Sequence, residues 1–296
     1  MDIMKTILAE PIKIITPKKY ILDGLWFGPA RPRRAIIFIH GLSSNAFNDT
    51  NFVSPLADKK TAVLTFSNRG HDLVAILRRL APRTKKGYVG KYAGVSHEVF
   101  TESADDLAGA VNLARRRGAK EIYLVGHSTG CQKSIYYLSK KNNQHKVTGV
   151  VLLCPISDYA SVWVDVTRRK YLRALKEAKK MLSRGKKHEL MPNQVWPKVL
   201  DVQRWLSLYT PDSTEEIFSY TQKNKRATTF KKVIIPMLVV FAEQDQCSDI
   251  PANVLESWFR KNTSSKDYSA AIIPGANHGF YKKVGQLKIV LAKWLK

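Results

Sequence analysis

Three residues far apart in the chain have the types and the order needed to activate a hydroxyl: Ser128 in "GHSTG", Asp245 in "FAEQD" and His278 in "PGANHGF". A serine is a weak nucleophile at neutral pH. An imidazole must accept its proton, and a carboxylate must orient that imidazole and stabilise its charged form. Ser128 lies in "EIYLVGHSTGC", where Ile122, Leu124 and Val125 read as a short buried strand and "TGCQKSIYYLSK" has helical spacing. The chain must therefore turn from strand to helix within about four residues. That puts the serine at the apex of a strained turn, with Gly126 and Gly130 allowing strand and helix to approach closely. The backbone N–H of Thr129 then points to where an oxyanion would form, at the positive end of the helix. A second N–H comes from Leu42, just after "AIIFIHG", where His40 and Gly41 close a buried strand.

Each position has a plainer alternative. Asp245 could cap the following helix, leaving its role to Asp249 four residues on; direct succession to the strand favours Asp245. Gly41 could be only a turn glycine. His127 sits beside Ser128 on a tight elbow, where adjacent side chains point apart, so it reads as packing rather than as the base. Cys131 reads as a small buried hydrophobe.

The elements that must position these residues alternate between strand and helix, which predicts an α/β fold with a mostly parallel eight-stranded sheet, helices on both faces and an inserted helical cap. "IKIITP" and "KYILDGLWFG" open as an antiparallel pair. Six apolar runs follow, "RAIIFIHG", "TAVLTFSNRG", "IYLVGHS", "GVVLLCP", "PMLVVFAEQD" and "YSAAIIPGANH", each ending in a polar or glycine-bearing loop at the edge where ligands bind in open sheets. "TESADDLAGAVNLARRRG" predicts an amphipathic helix with Thr101 as N-cap and a stop at Gly118; "DIPANVLESWFRK" and "VGQLKIVLAKWLK" are also helical. The expected organisation is a core of residues 1–156 and 233–296 interrupted by a helical cap over 157–232. In the cap, "RRKYLRALKEAKKMLS" has an apolar stripe of Tyr171, Leu175, Ala178 and Leu182. Trp163, Trp196, Trp205 and Tyr209 are read as core packing, with pocket lining as the alternative.

Charge is the unusual feature. With 49 basic and 24 acidic residues the formal net charge is +25, a field that attracts acidic small molecules, nucleic acids and anionic lipids. Residues 161–190 carry ten Lys or Arg against three Asp or Glu, and this basic helix either draws anionic substrates to the pocket or is simply solvated. No nucleic-acid-binding signature accompanies the charge, and no apolar run is long enough to span a membrane. "MDIMKTILAE" is broken by charges at Asp2, Lys5 and Glu10, leaving no secretory core. Cys131, Cys154 and Cys247 are scattered, with no metal or redox pairing, so a cytoplasmic location is expected.

The chain resembles the α/β-hydrolase superfamily over nearly its whole length, through "FIHGLSSN", "FSNRGHD", "GHSTG", "AEQD" and "PGANHGF" in order. Within it, the chain is similar to a branch of bacterial and fungal hydrolases that includes fungal siderophore esterases, through "GHSTGCQKSIYYL", "SHEVFTESADDLAGAV", "RGKKHELMP" and "RWLSLYTPDSTEEIFSY". The resemblance implies a nucleophile at Ser128, an acid at Asp245, a base at His278, oxyanion donors at Leu42 and Thr129, and neither metal nor organic cofactor. The strong positive charge departs from that pattern. The activity expected is hydrolysis of a small or medium-sized carboxylic ester, possibly anionic. An acyltransferase, thioesterase or amidase would use the same trio, and a non-catalytic protein would use only the basic surface.

Overall fold

The computed structural model describes residues 8–295; residues 1–7, which open the stretch read as lacking a secretory core, lie outside it. The chain begins with the antiparallel pair β1 (Ala9–Ile15) and β2 (Tyr20–Phe27), followed by β3 (Arg34–Ile39), the single turn α1 (Thr50–Val53) and β4 (Thr61–Phe66). Next come a hairpin of β5 (Ala75–Leu80) and β6 (Tyr88–Ala93), α2 (Ser103–Arg116), β7 (Glu121–His127), α3 (Thr129–Leu138), the short α4 (Lys141–Gln144) and β8 (Gly149–Leu153). Helices α5 (Asp158–Asp165), α6 (Arg168–Ser183), α7 (Val202–Tyr209) and α8 (Thr228–Lys231) precede β9 (Met237–Ala242), α9 (Ala252–Asn262), β10 (Tyr268–Ile273) and α10 (Val284–Trp294).

The strands lie in the order β10-β9-β8-β7-β3-β4-β2-β5-β6, with β1 paired to β2. From β10 to β4 every pairing is parallel; β1, β2, β5 and β6 add an antiparallel end. Every residue of β4, β8 and β9 is buried. That is why these strands read as continuous apolar runs rather than alternating ones: helices cover both faces of a parallel sheet. On one face Leu107 of α2, Ile135 of α3 and Phe259 of α9 join the core; on the other, Phe52 of α1 and Leu287 and Leu291 of α10 do.

Three expectations need correction. There are ten strands, not eight. The additional pair is the β5–β6 hairpin, in which Arg78, Arg79, Gly90 and Lys91 interrupt the sequence and only Leu77 and Ala93 are buried, so an edge hairpin facing solvent leaves little hydrophobic signal. Thr101 is not the cap of α2: Phe100–Glu102 forms a 3-10 turn, and no side chain caps the helix. Instead Asp105 and Asp106, in its first turn, bind Arg69 from the loop after β4, at 2.9 and 2.6 Å. In α6 the buried positions are Tyr171, Ala174, Ala178 and Met181; Leu175 is only partly buried and Leu182 is 46% exposed. Tyr171 and Ala178 are buried as expected, but the seam continues through Ala174 and Met181, one position before Leu175 and Leu182.

Between β8 and β9 there is no strand among the described residues, only one bridge, Leu190 to Asp201. Helices α5, α6 and α7 pack their own aromatic cluster around Trp196, Trp205 and Tyr209. What ties α7 to the sheet is buried charge. Glu98, in the loop before α2, is completely buried and pairs with Lys133 of α3 at 2.6 Å and with Arg204 of α7 at 2.9 Å. Arg204 also pairs with Glu215, and Lys133 donates to Asn68 at 3.0 Å. Burial opposes ionisation of Glu98, yet Lys133 and Arg204 hold its carboxyl below the usual range. Gly70 makes room for this seam: a Cβ there would sit 2.3 Å from the Glu98 carboxyl carbon.

Candidate active site

Strand β7 ends at His127, and α3 starts at Thr129, so Ser128 alone makes the turn. Its backbone has φ 54° and ψ −124°, a strained conformation for a residue with a Cβ. Ser128 N–H donates to Leu153 of β8 at 2.9 Å, which pins the elbow to the sheet. The flanking glycines are obligatory: a Cβ on Gly126 would lie 2.4 Å from the Gly130 carbonyl oxygen, and one on Gly130 would lie 2.1 Å from that of Ile39. Only hydrogens fit where β7, α3 and β3 converge.

Asp245 follows β9, and His278 follows β10, on adjacent parallel strands. The two side chains meet directly, His278 Nδ1 lying 2.9 and 2.8 Å from the two carboxylate oxygens. Nδ1–H is thereby committed to Asp245, and Nε2 is left to accept a proton. The His278 N–H donates to Gln246 Oε1 at 3.0 Å, which fixes the loop. Asp249 has no such bond to His278, so the alternative acid is not brought to the base. Ser128 and His278 line one cavity of about 690 Å³. Among the described residues the Ser128 hydroxyl makes no hydrogen bond, to His278 or to any other side chain.

The Gly41–Leu42 turn beside the elbow is equally well built. Gly41 is packed against the elbow, where an added Cβ would come within 3.0 Å of Ser128 Cβ. Leu42 lines the same cavity, and neither its N–H nor that of Thr129 has an acceptor among the described residues. His40, fully buried, holds this turn: Nδ1–H donates to the Gly41 carbonyl at 2.8 Å, and Nε2 accepts the Asn68 N–H at 3.1 Å. Burial first, and then the Lys133 charge, lower its pKa to about 3, so it works as a neutral bridge.

His127 does more than pack. Its Nε2–H donates to the His278 carbonyl at 2.8 Å, and its ring meets Phe52 edge-on at 5.6 Å. Burial, then the neighbouring His278, push its pKa down to about 4. With its proton on the nitrogen facing His278, it holds the His278 loop and has no free nitrogen on that side to take a proton. Cys131 is fully buried, its Sγ 3.2 Å from the Gly126 carbonyl. The Cys154 thiol lies with Asp245 and His278, their ligand atoms within 4.8 Å of one another, but burial first and then Asp245 keep it protonated, unlike a thiolate metal ligand.

The segment between β8 and β9 lines the cavity with Ile156, Val162, Trp196 and Tyr209. Trp196 and Tyr209 are therefore both core and lining. Trp205 is core alone, and Trp163 is 38% exposed. No Lys or Arg of α6 reaches the cavity: Tyr171, Ala174 and Ala178 face inward while the cations are exposed. Sequence reasoning missed Asp158, Asp165, Lys198 and Cys247 on the cavity wall and the Glu98–Lys133–Arg204 seam beside it. Lone charges in the apolar stretches "CQKSIYYL" and "VQRWLSLY" were the available signal. A second groove of about 740 Å³ lies on the antiparallel end and includes Ser67, His71 and Asp72. There Ser67 Oγ accepts the Ala46 N–H, and His71 contacts Asp72 without reaching the serine.

A family model matches residues 28–294. The chain belongs to the family described as "Protein of unknown function (DUF1749)". No curated protein matches the sequence. Among solved structures, this DUF1749 chain is similar to the siderophore hydrolase EstB from Aspergillus fumigatus, with 18% identity over 97% of each chain and a TM-score of 0.68. It is similar also to the Pyrococcus furiosus esterase Pf2001, at 15% identity over 98% of this chain and 92% of that one, TM-score 0.58. A Paleococcus ferrophilus monoacylglycerol lipase gives 16% identity over 93% and 98%, TM-score 0.58. These likenesses establish the α/β-hydrolase fold. Among the described residues no helix is long and apolar enough to cross a membrane.

Proposed function

We propose that the protein is a serine hydrolase that cleaves a carboxylic ester of a small or medium-sized substrate. The observation that carries this is the strained Ser128 elbow opening into the same cavity as the Asp245-bound His278. Ser128 Oγ attacks the acyl carbon while His278 Nε2 takes its proton; the proton returns to the leaving alcohol, and water then cleaves the acyl-enzyme by the same route. Leu42 and Thr129 N–H groups stabilise the tetrahedral oxyanion, worth about 10²–10³ in rate per donor. Similarity to esterases and a lipase supports the ester reading.

Labelling with a fluorophosphonate tests it. Wild type is expected to be modified at Ser128, and Ser128→Ala, still folded, to take no label and to lose ester turnover by at least about 10⁴-fold. Labelling at another residue, or retained turnover in the variant, would refute the mechanism.

A further inference from the structure

The sign of the cavity is opposite to that of the protein. The molecule carries +25, yet the cavity is lined by three aspartates, Asp49, Asp158 and Asp165, and by one lysine, Lys198. Asp158 is the telling member. It is the first residue of α5, capped by Ser157, and is 9% exposed. Its Oδ2 accepts Gln132 Nε2–H at 2.8 Å, while Oδ1 has no hydrogen-bonding partner among the described residues. An oxygen of a buried aspartate that lines the cavity and has no protein donor is a position for a donor carried by a ligand.

Cys247 stands on the same wall. Its half-buried thiol lines the same cavity and is pushed up to about 11, first by burial and then by Asp245, Asp158 and Asp165, with Lys198 opposing.

We propose that the hydrolase takes esters bearing a positively charged or hydrogen-bond-donating group, such as an amine, which Asp158 and Asp165 hold beside Ser128, in place of the anionic substrate that net charge suggests. The inference rests on the ester reading above for its chemistry but not for the polarity of the cavity. The basic surface and the acidic cavity act at different ranges: exposed charges are screened beyond about 10 Å, whereas contact with the wall decides binding. Asp158 is pushed up to about 8, by burial first and then Glu215, with Glu216 adding to it while Arg204 and Lys133 oppose. A cation bound there is expected to release its proton, so a permanently charged substrate binds better as pH rises through about 8.

Two matched sets of esters decide the point: choline butyrate, its uncharged tert-butyl isostere and sulfoethyl butyrate; then methyl aminohexanoate, methyl heptanoate and monomethyl adipate. In at least one set, kcat/KM is expected to favour the cation over the anion by about tenfold or more. Asp165→Asn, at an exposed position, and Asp158→Asn should each shrink that ratio. Separately, cationic and anionic methanethiosulfonates of equal size are compared at Cys247, normalised to a free thiol; the cation is expected to react about tenfold faster. Equal or better turnover of the anions in both sets would overturn the proposal. If no ester is cleaved, the ester reading falls, and the thiol ratio alone decides the polarity: faster cation supports it, equal rates end it.

Discussion

The catalytic edge and the seam beneath the inserted helices lie next to each other and are both rich in polar groups, but they use them in opposite ways. In the seam, Glu98, Lys133, Arg204 and Glu215 face one another, each charge opposed by another within the protein. At the edge, the Ser128 hydroxyl, the Leu42 and Thr129 N–H groups and Asp158 Oδ1 are left without partners among the described residues. Charges opposed within the protein fix position, whereas polar groups facing a cavity without a protein partner hold binding capacity that a ligand can use. The seam also supplies the rigidity that such an edge requires, since Lys133 reaches through Asn68 to His40 and so to the oxyanion turn.

The comparison is broken most severely at the edge. Asp245→Asn is expected to lower kcat/KM by about 10⁴-fold with little change in stability, because the imidazole loses its orienting anion. Asp249→Asn, which lacks contact with His278, should stay within about twofold; a larger loss there than at Asp245, by ester kinetics, would reverse the assignment of the acid.

In the seam the expected loss is of stability. Glu98→Ala leaves Lys133 and Arg204 buried without their shared partner, and breaking such a pair costs about 3–5 kcal/mol. Urea unfolding measures it. A shift below about 0.5 kcal/mol would mean that water replaces the carboxylate and the seam is not closed.

Acid sharpens the contrast with a smaller effect. The unfolded chain protonates His40 near the ordinary imidazole value of 6.5, whereas the folded protein resists to about 3, so stability falls as pH drops below 6.5. Glu98, held below its ordinary range, adds a loss at lower pH in the same direction. Thermal melts between neutral and acid pH should therefore fall less steeply for His40→Gln than for wild type. An identical slope would show that His40 does not carry this dependence.

The smallest effect belongs to the exposed face of α6. Replacing Lys176 and Lys179 together by Ala should leave ester turnover unchanged and shift stability by no more than about 0.5 kcal/mol. A marked rise in KM would show that the basic helix serves the cavity after all.

The residues that sequence alone determined are those whose roles follow from local geometry. Gly126, Ser128 and Gly130 specify an elbow because backbone atoms meet there, and apolar runs buried on both faces specify parallel strands. The order Ser128, Asp245, His278 is likewise carried along the chain, since each ends a strand and adjacent strands bring the last two together. Other features were decided only by tertiary structure. Which stripe of α6 is buried depends on what packs against it, and the β5–β6 hairpin has too little buried surface to announce itself. Net charge sums over the whole chain, whereas the character of a cavity depends on the few side chains that folding places along it, and here Asp49, Asp158 and Asp165 stand against the single lysine Lys198.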